Sequence, residues 1–360
     1  MKVHFFAGDI FTTFTARVSP LVRVLESYDI ECKIIPPIAW RPGARIARGR
    51  LGNLLSVVMT HNPKKYVEIL TNHPDVVIIG RTSTPQMYLL QKLLKSKGVK
   101  IIFDLDDALF LTTKFLGFNI NPGSFCLDEM IKEADFVTVN GHYLLNYVKT
   151  LNEKSAILHD PVVCTLFSRE LAVVHDTITI GWVGSAWSHY ENLALLVKPL
   201  ERIATEHNIR FKMVSYLGDP RTKVMFKKLR TLIEVDYGSR SWLPLSDFAK
   251  LTSDFDIMVA PLQPKLSCEC KSALRVGEGM ALGIPIVASP VGEQKYVIQS
   301  GINGFLAKNE EEWYTYLKML VEDEKLRDSV GKSGRETVEK ELSSLVCGKK
   351  LFDIIEELLK

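Results

Sequence analysis

The sequence predicts an α/β chain of two Rossmann-like doubly wound domains that face each other across a cleft. Short apolar runs typical of strands alternate with amphipathic helical segments through the first half of the chain, and the same alternation returns in the second half. Such alternation is typical of parallel sheets with helices on both faces. A length of 360 residues is sufficient for two domains of ordinary size.

The first half begins with a short apolar run at 3–7 and ends near Pro161. Apolar spacing predicts helices over 19–28 and 84–94 and a further helix after the last strand. The segment 161–176 contains a proline and no strong period, so we expect a first domain at 1–165 and a second at 176–340. The predicted strands of this half are 3–7, 31–35, 75–79, 100–103 and 136–139.

The second half repeats the architecture without visible sequence repetition. Helical spacing predicts helices over 192–206 and 223–232. From residue 310 onward the mixed-charge pattern predicts helices only, and we expect 341–360 to form a C-terminal helix. The predicted strands are 177–183, 211–216, 233–237, 257–260 and 286–288.

Composition narrows the functional classes. No apolar stretch is long enough to span a bilayer, and the opening residues resemble a buried strand rather than a signal peptide. A net charge of +3 is too small to indicate nucleic acid as a partner. The six cysteines are scattered without the spacing of a zinc site, which favours free thiols in the cytoplasm.

The run from Lys271 to Ser289 concentrates charges just before an apolar strand. Lys271 and Arg275 are four residues apart, so on a helix they would share one face and grip a polyphosphate. Glu278 lies one turn beyond Arg275, where a carboxylate can accept hydrogen bonds from sugar hydroxyls. The alternative is a helix whose charges are merely solvated.

A second motif, Ile180-Gly-Trp-Val-Gly-Ser185, ends the first strand of the second domain. Its small residues would let a backbone approach phosphate at the start of the following helix, although a tight turn without a ligand fits equally. Gly8, in an early loop, is expected to approach the diphosphate from the first domain.

The run Glu278-Gly-Met-Ala-Leu-Gly-Ile-Pro-Ile-Val-Ala-Ser289 resembles the C-terminal signature of retaining GT-B glycosyltransferases of the family-4 type. The resemblance implies transfer of a sugar, with retention, from a nucleoside-diphosphate sugar to a glycan or lipid-linked glycan hydroxyl. It implies no required cofactor or metal. It also implies catalytic roles for Lys271, Arg275 and Asp106. Donor-binding roles fall on Gly8, Gly184, Ser185, Arg240, Ser272 and Glu278.

Two departures from that family pattern are visible. Many members have an Arg-x4-Lys pair after the strand at 177–183, whereas His189, Tyr190 and Glu191 occupy the region here. The first carboxylate of the family's Glu-x7-Glu pattern is replaced by Cys270. A GT-B scaffold that binds a nucleotide sugar without transferring it therefore stays open as an alternative.

The segment Asp104-Leu-Asp-Asp107 follows a predicted strand and allows several interpretations. It resembles the nucleophile motif of haloacid-dehalogenase-type phosphatases, with Asp104 attacking phosphorus. An Asp-x-Asp can also bind a divalent metal. In the two-domain scheme it lies at a strand end, where Asp106 would contact the acceptor or the transferred sugar. A helix cap is the purely structural alternative.

The segment Arg41–Lys65 is basic and contains no acidic residue. Its apolar stripe at helical spacing fits peripheral contact with the inner face of a membrane, and it fits equally a solvated helix whose apolar side is core. Arg17 and Arg81 lie near predicted strand ends, where each would meet an anionic acceptor or pair with a carboxylate. His159 and His189 are read as ordinary histidines.

Overall fold

A computed structural model describes residues 1–6, 13–35, 63–111, 113–115, 118–120, 124–168, 177–214, 218–238 and 244–360. These residues divide into two compact units. The first comprises Met1–Pro161 together with Cys347–Lys360, and the second comprises Val162–Val346. The first boundary therefore lies just before the expected limit at 165, and the chain returns to the first unit near its end.

The first unit is built on a sheet with the strand order β2-β1-β3-β4-β7-β8, parallel throughout its described pairs. The chain forms a π-helical turn at Thr13–Val18 before α1, and β5 pairs only with β6, in an antiparallel hairpin. The strands are β1 (Lys2–Phe6), β2 (Glu31–Ile35), β3 (Val76–Gly80), β4 (Lys100–Leu105), β5 (Thr113–Phe115), β6 (Phe118–Ile120), β7 (Phe136–Val139) and β8 (Ser155–Ile157). The helices are α1 (Ser19–Glu26), α2 (Pro63–Asn72), α3 (Pro85–Ser96), α4 (Leu127–Glu133) and α5 (His142–Lys149).

The second unit repeats this plan, with the parallel strand order β11-β10-β9-β12-β13-β14. Its strands are β9 (Ile178–Val183), β10 (Ile209–Val214), β11 (Glu234–Asp236), β12 (Ile257–Ala260), β13 (Ile286–Ala288) and β14 (Phe305–Leu306). Its helices are α6 (Ala186–Leu193), α7 (Val197–Glu206), α8 (Pro220–Met225), α9 (Leu245–Thr252), α10 (Leu266–Glu269), α11 (Leu274–Ala281), α12 (Gln294–Val297), α13 (Glu310–Glu322) and α14 (Glu324–Glu341). The last helix, α15 (Ser344–Leu359), leads back to the first unit.

The central strands of both parallel sheets are buried. All five residues of β3 are buried, and β9 and β13 are nearly or fully buried as well. Strands covered on both faces read as continuous apolar runs rather than as alternating patterns. The sequence contains such runs, and the predicted α/β fold class with two doubly wound sheets is confirmed.

Two predicted helices of the second unit are shorter than expected. The helix predicted over 192–206 is divided into α6, a 3-10 turn at Ala194–Leu196, and α7. Pro199 lies in the first turn of α7, where its missing N–H costs nothing, whereas it would break a continuous helix. The helix predicted over 223–232 is instead α8 followed by a 3-10 turn at Leu229–Thr231.

The C-terminal helix α15 packs on the core of the first unit. Leu351, Ile354 and Ile355 are buried in a cluster that also contains Leu21 and Leu25 of α1. The close approach is possible because Gly348 of α15 lies against Val24, whose side chain would be 2.4 Å from an added Cβ.

None of the described helices is long and apolar enough to cross a membrane. Most of the basic segment Arg41–Lys65 lies outside the described residues, which include only the backbone of its last part in α2. The expected membrane contact of this segment therefore stays a prediction.

Gly331 of α14 packs against the backbone just after α11, so a methyl group added at this position should destabilise the fold. A Cβ added at Gly331 would lie 1.9 Å from the carbonyl oxygen of Gly283, a backbone atom that cannot rotate away. We expect Gly331→Ala to lower the free energy of unfolding by about 1–3 kcal/mol, the range for overpacking a core. Chemical denaturation followed by circular dichroism measures this. The adjacent exposed Lys332→Ala is the control, and equal midpoints for the two variants would refute the close contact.

Candidate functional site

The polar groups of the second unit gather at the carboxyl ends of its strands. In the strand order, β9 is flanked by β10 on one side and by β12 on the other. From β9 the chain continues to β10 on one side, and from β12 it continues to β13 on the other side. The boundary between β9 and β12 is therefore the topological switch point of the sheet. Ligands of doubly wound sheets bind in the crevice at such a point.

The turn after β9 opens one side of this crevice. Gly184 has φ +149°, and an added Cβ would lie 2.9 Å from the indole ring of Trp182, so both backbone conformation and space require glycine here. Ser185 precedes α6, and its carbonyl accepts from the backbone N–H of His189 at 3.1 Å. The first turn of a helix leaves N–H groups without intrahelical partners, which favours an anion at this end.

Arg275 and Glu278 lie on α11, as predicted, and they contact each other. The Arg275 guanidinium donates to the Glu278 carboxylate at 2.6 Å and lies over the ring of Phe248, 4.7 Å from its centroid. Glu278 is buried, whereas the Arg275 side chain is 36% exposed. A guanidinium has five N–H donors, so this ion pair leaves Arg275 able to bind an anion as well.

Lys271 does not share a helix face with Arg275, and that prediction is wrong. The helix begins only at Leu274, and Lys271 and Ser272 lie in the preceding loop. The Ser272 hydroxyl lies 3.5 Å from the Leu274 nitrogen, at the start of the helix. The loop turns because the backbone N–H of Lys271 donates to the carbonyl of Cys268 at 3.1 Å.

A second loop, after β13, holds Lys271 in place. The backbone N–H of Glu293 donates to the carbonyl of Lys271 at 3.0 Å, and Lys295 bonds the Glu269 carboxylate at 2.8 Å. Gly292 has φ +67°, and an added Cβ would lie 2.6 Å from the carbonyl oxygen of Cys268. The two loops can therefore approach this closely only with glycine at position 292.

Both cations act on the imidazole of His189, which lies in α6. Burial, together with the charges of Lys271 and Arg275, lowers the pKa of His189 to about 4. Residues 185–189, the loop at Lys271 and helix α11 thus converge at one place. The arrangement offers two cations, a neutral imidazole and a helix start, a set suited to a diphosphate.

Cys270, at the position of the first carboxylate in the family pattern, is buried. The adjacent Glu269 accepts from Lys295 and, at 3.3 Å, from the backbone N–H of Gly292. Its carboxylate therefore stabilises the loop structure.

A separate polar cluster lies in the first unit, around Arg17. The Arg17 guanidinium is buried and donates twice to the Asp104 carboxylate, each at 2.7 Å, and once to Asp160 at 2.7 Å. Thr138 of β7 also donates to Asp104, at 2.6 Å. Asp104 is consequently a buried structural carboxylate, and this geometry argues against its use as a phosphatase nucleophile. Arg17 pairs with carboxylates, which was one of its two predicted roles.

Asp106 lies at the edge of this cluster. Burial raises the pKa of its carboxyl to about 7, although the nearby Arg81 opposes the rise. The Arg81 Nε atom is 3.8 Å from Asp106 Oδ1, and its Nη2 atom donates to Asp107 at 2.5 Å. Asn140 donates to the backbone carbonyl of Asp106 at 2.5 Å. Among the described residues, no group of His, Cys, Asp and Glu side chains is arranged to hold a metal ion.

Two predicted site residues, Gly8 and Arg240, lie outside the described residues. Of the remaining donor-binding candidates, Gly184 and Ser185 lie in the turn between β9 and α6. Ser272 lies in the loop before α11, and Glu278 lies on α11.

Comparison with known proteins gives a family match for part of the second unit. Residues 177–323 match the model of the family "Glycosyl transferases group 1". The second unit carries a glycosyl transferases group 1 domain. The match includes β9, α6, Lys271 and the whole of α11, and it supports the glycosyltransferase activity that the sequence resemblance predicted. No curated protein sequence matches the chain.

Solved structures share the fold over nearly the full length. A glycosyltransferase from Rickettsia africae ESF-5 is 17% identical, with a TM-score of 0.68 over 100% of this chain and 99% of that one. Sucrose-phosphate synthase from Thermosynechococcus elongatus is 13% identical, with a TM-score of 0.71 over 99% of each chain. HepE from Anabaena, solved in complex with UDP, is 12% identical, with a TM-score of 0.68 over 99% of this chain and 100% of that one. These similarities establish the GT-B type of fold.

Sequence reasoning missed His189 as part of this site. The position was visible as a departure from the family's Arg-x4-Lys pair, but nothing in the sequence connects it with Lys271 or Arg275. Asn192, the hydrogen-bond partner of His189, gave no signal at all. Both residues contact or face the loop after β12, which is distant in sequence: Asn192 and its bonded partner Gln263 are 71 residues apart.

The buried ion pair of the first unit predicts a stability defect for Asp104→Asn. Breaking a buried pair leaves Arg17 with less compensating charge, and we expect a loss of about 3–5 kcal/mol in the free energy of unfolding. Denaturant titration followed by circular dichroism measures this. Asp107→Asn, at a side chain that is 25% exposed, is the control and should cost much less. A stable Asp104→Asn protein that had lost a Mg²⁺-dependent phosphatase activity would instead revive the nucleophile hypothesis.

The raised pKa of Asp106 predicts a pH dependence of stability. Between its ordinary value of 3.8 and about 7, the folded chain keeps a proton that the unfolded chain releases. The contribution of Asp106 is therefore greatest at low pH and decreases as the pH rises through this window. The difference in unfolding free energy between wild type and Asp106→Asn should change over the window. A constant difference would show that Asp106 titrates normally.

Proposed function

We propose that this glycosyltransferase moves a sugar from a nucleoside-diphosphate sugar to a hydroxyl acceptor, with retention of the anomeric configuration. One observation carries the proposal: Asn192 of α6 bonds the loop that precedes Lys271, and the charges of Lys271 and Arg275 act on His189 of the same helix, at the switch point of the second sheet. This collection of donors suits a diphosphate leaving group. HepE from Anabaena, which shares the fold, was solved with UDP, and this supports the donor class.

In this proposal, the second unit stabilises the charge that develops when the bond between sugar and diphosphate breaks. Lys271 and Arg275 bind the diphosphate oxygens, and the backbone at Gly184 and Ser185 approaches them closely. Preorganised donors of this kind lower the barrier because they need no rearrangement as charge develops. The leaving phosphate itself takes the proton of the acceptor hydroxyl, so the scheme needs no separate enzyme base.

Glu278 has two roles in this scheme. Its carboxylate fixes Arg275 through the 2.6 Å hydrogen bond, and its remaining lone pairs accept from the ribose hydroxyls of the donor. Ser272, next to Lys271, adds a hydroxyl to the donor side. In the first unit, Asp106 is proposed to contact the acceptor or the transferred sugar.

The acceptor class is a glycan or a lipid-linked glycan. The basic segment Arg41–Lys65 supports a lipid-linked acceptor met at the cytoplasmic face of a membrane, because each cation near an anionic surface contributes about 1 kcal/mol. Vesicles containing anionic lipid would test this by cosedimentation, with neutral vesicles as the control.

A second candidate function is favoured by one observation. Cys270 replaces the carboxylate that holds donor-sugar hydroxyls in the family pattern, and Glu269 is engaged by Lys295 instead. A protein that binds a nucleotide sugar without transferring it would tolerate this loss. Donor binding without turnover across a broad acceptor panel would favour that function.

The first experiment is a calorimetric titration with UDP, GDP and ADP and their common sugar conjugates, with and without Mg²⁺. We expect one nucleoside diphosphate to bind, with equal affinity in both conditions, because Lys271 and Arg275 supply the charge compensation. Binding only with Mg²⁺ would contradict the metal-independent scheme. Absence of binding to all of them would overturn the proposed function.

Arg275→Ala should weaken nucleoside diphosphate binding by about 1.5–3 kcal/mol, the range for a hydrogen bond to a charged group. Calorimetry measures the dissociation constant directly. The control is Lys250→Ala, which removes one exposed cation from the same unit. Equal affinity of the Arg275→Ala protein and wild type would remove Arg275 from the site.

A further inference from the structure

The ring of His189 is oriented by a short chain of hydrogen bonds. The backbone N–H of Gln263 donates to Asn192 Oδ1 at 2.9 Å, and the Cys268 thiol lies 3.8 Å from the same oxygen. With its oxygen accepting on that side, the Asn192 amide presents its Nδ2 group to His189 Nδ1, at 2.9 Å. Gln263, which ends this chain, follows β12 in the loop that also leads to Lys271.

This chain determines which nitrogen of the imidazole carries the proton. Because Asn192 Nδ2 is a donor, His189 Nδ1 must accept, and a neutral imidazole that accepts at Nδ1 carries its proton on Nε2. Among the described residues, none bonds His189 Nε2. The ring also packs edge-on against Trp182, with 6.1 Å between the centroids, which limits its rotation.

The same ring stays neutral because of its surroundings. Burial and the charges of Lys271 and Arg275 all disfavour the imidazolium form, and Arg275 is itself paired with Glu278. A third cation at this position would be repelled by the other two when the site is empty. A neutral N–H donor adds a bond to an anion without that repulsion.

We propose that His189 is a third diphosphate ligand, which donates a hydrogen bond from Nε2 to an oxygen of the donor's diphosphate, and that Asn192 orients it. This inference rests on the proposed function and adds a residue to its site. His189 then replaces, with an uncharged donor, cationic groups that the related sequences carry after this strand.

A bound anion changes the protonation of this histidine. The imidazolium loses the hydrogen bond from Asn192 to Nδ1 in both states, so this cost cancels in the comparison; the negative charge of the diphosphate offsets Lys271 and Arg275 only in the complex, where the imidazolium is therefore less unfavourable than in the free protein. Binding therefore favours proton uptake, and the affinity for a nucleoside-diphosphate sugar should rise as the pH falls towards about 5. A sugar conjugate is the suitable probe because its two phosphates keep their charge over this range.

The test compares wild type, His189→Ala, His189→Gln and His207→Ala in calorimetric titrations with the nucleoside-diphosphate sugar that wild type binds. His207 lies at the end of α7, where it pairs with Glu322, and it serves as the control for loss of an imidazole. At about pH 7.5 we expect His189→Ala to lose roughly tenfold or more in affinity, the size of one hydrogen bond to a charged group. His189→Gln should recover part of the loss because its amide also donates, and His207→Ala should bind as wild type does.

Two readouts separate this role from a structural one. The rise in affinity at low pH should be present in wild type and in His207→Ala and absent from both His189 variants. In protein labelled with ¹⁵N-histidine, the His189 spectrum should show the Nε2–H tautomer and should change when the ligand binds. An Nδ1–H tautomer, unchanged affinity of His189→Ala, or an unchanged pH profile would overturn the proposal.

The outcomes also distinguish this proposal from the function on which it rests. If wild type binds none of the nucleotides, both fall together. If wild type binds and Arg275→Ala weakens the binding while His189→Ala does not, only the role of His189 falls.

Discussion

The first unit depends on the buried ion pair between Arg17 and Asp104. A guanidinium that is 1% exposed can be kept inside a protein only if its charge is compensated and its donors are used, and here two carboxylates and the carbonyl of Leu158 do so. The pair joins the π-helical turn before α1 to β4, and Asp160 adds the segment after β8. Burial beside this pair raises the pKa of Asp106, and the charges of Asp104 and Asp160 raise it further, although Arg81 and Arg17 oppose the rise.

The second unit depends instead on close backbone packing. An added Cβ at Gly279 of α11 would lie 2.5 Å from the sulfur of Met258 in β12, so the helix lies directly on the sheet. This contact sets the position of Arg275 and Glu278, while Gly292 sets that of Lys271. Small residues therefore determine where the large charged ones converge. Burial, together with the charges of these two cations, keeps His189 neutral, so packing, charge and protonation are linked in one site.

Much of this could be predicted from the sequence, since the apolar runs and the glycine-rich motifs are local signals. The strands at β3, β9 and β13 are continuous apolar runs and were predicted within one or two residues. The errors also have local causes. Pro199 divides a helix predicted as continuous, and the start of α11 at Leu274 excludes Lys271 from the helix on which its role was argued. Helix boundaries depend on capping and loop contacts that periodicity does not show.

The sequence by itself determined the two doubly wound sheets and the resemblance of Glu278–Ser289 to glycosyltransferases. Both depend on residues that are close together along the chain. Only the tertiary structure decided which groups surround Asp104 and His189. The partner of Asp104, Arg17, is 87 residues away, and without it the Asp104–Asp107 segment fits a phosphatase motif equally well. The state of His189 depends on Asn192, Lys271 and Arg275, and a pKa is set by neighbours in space rather than in sequence.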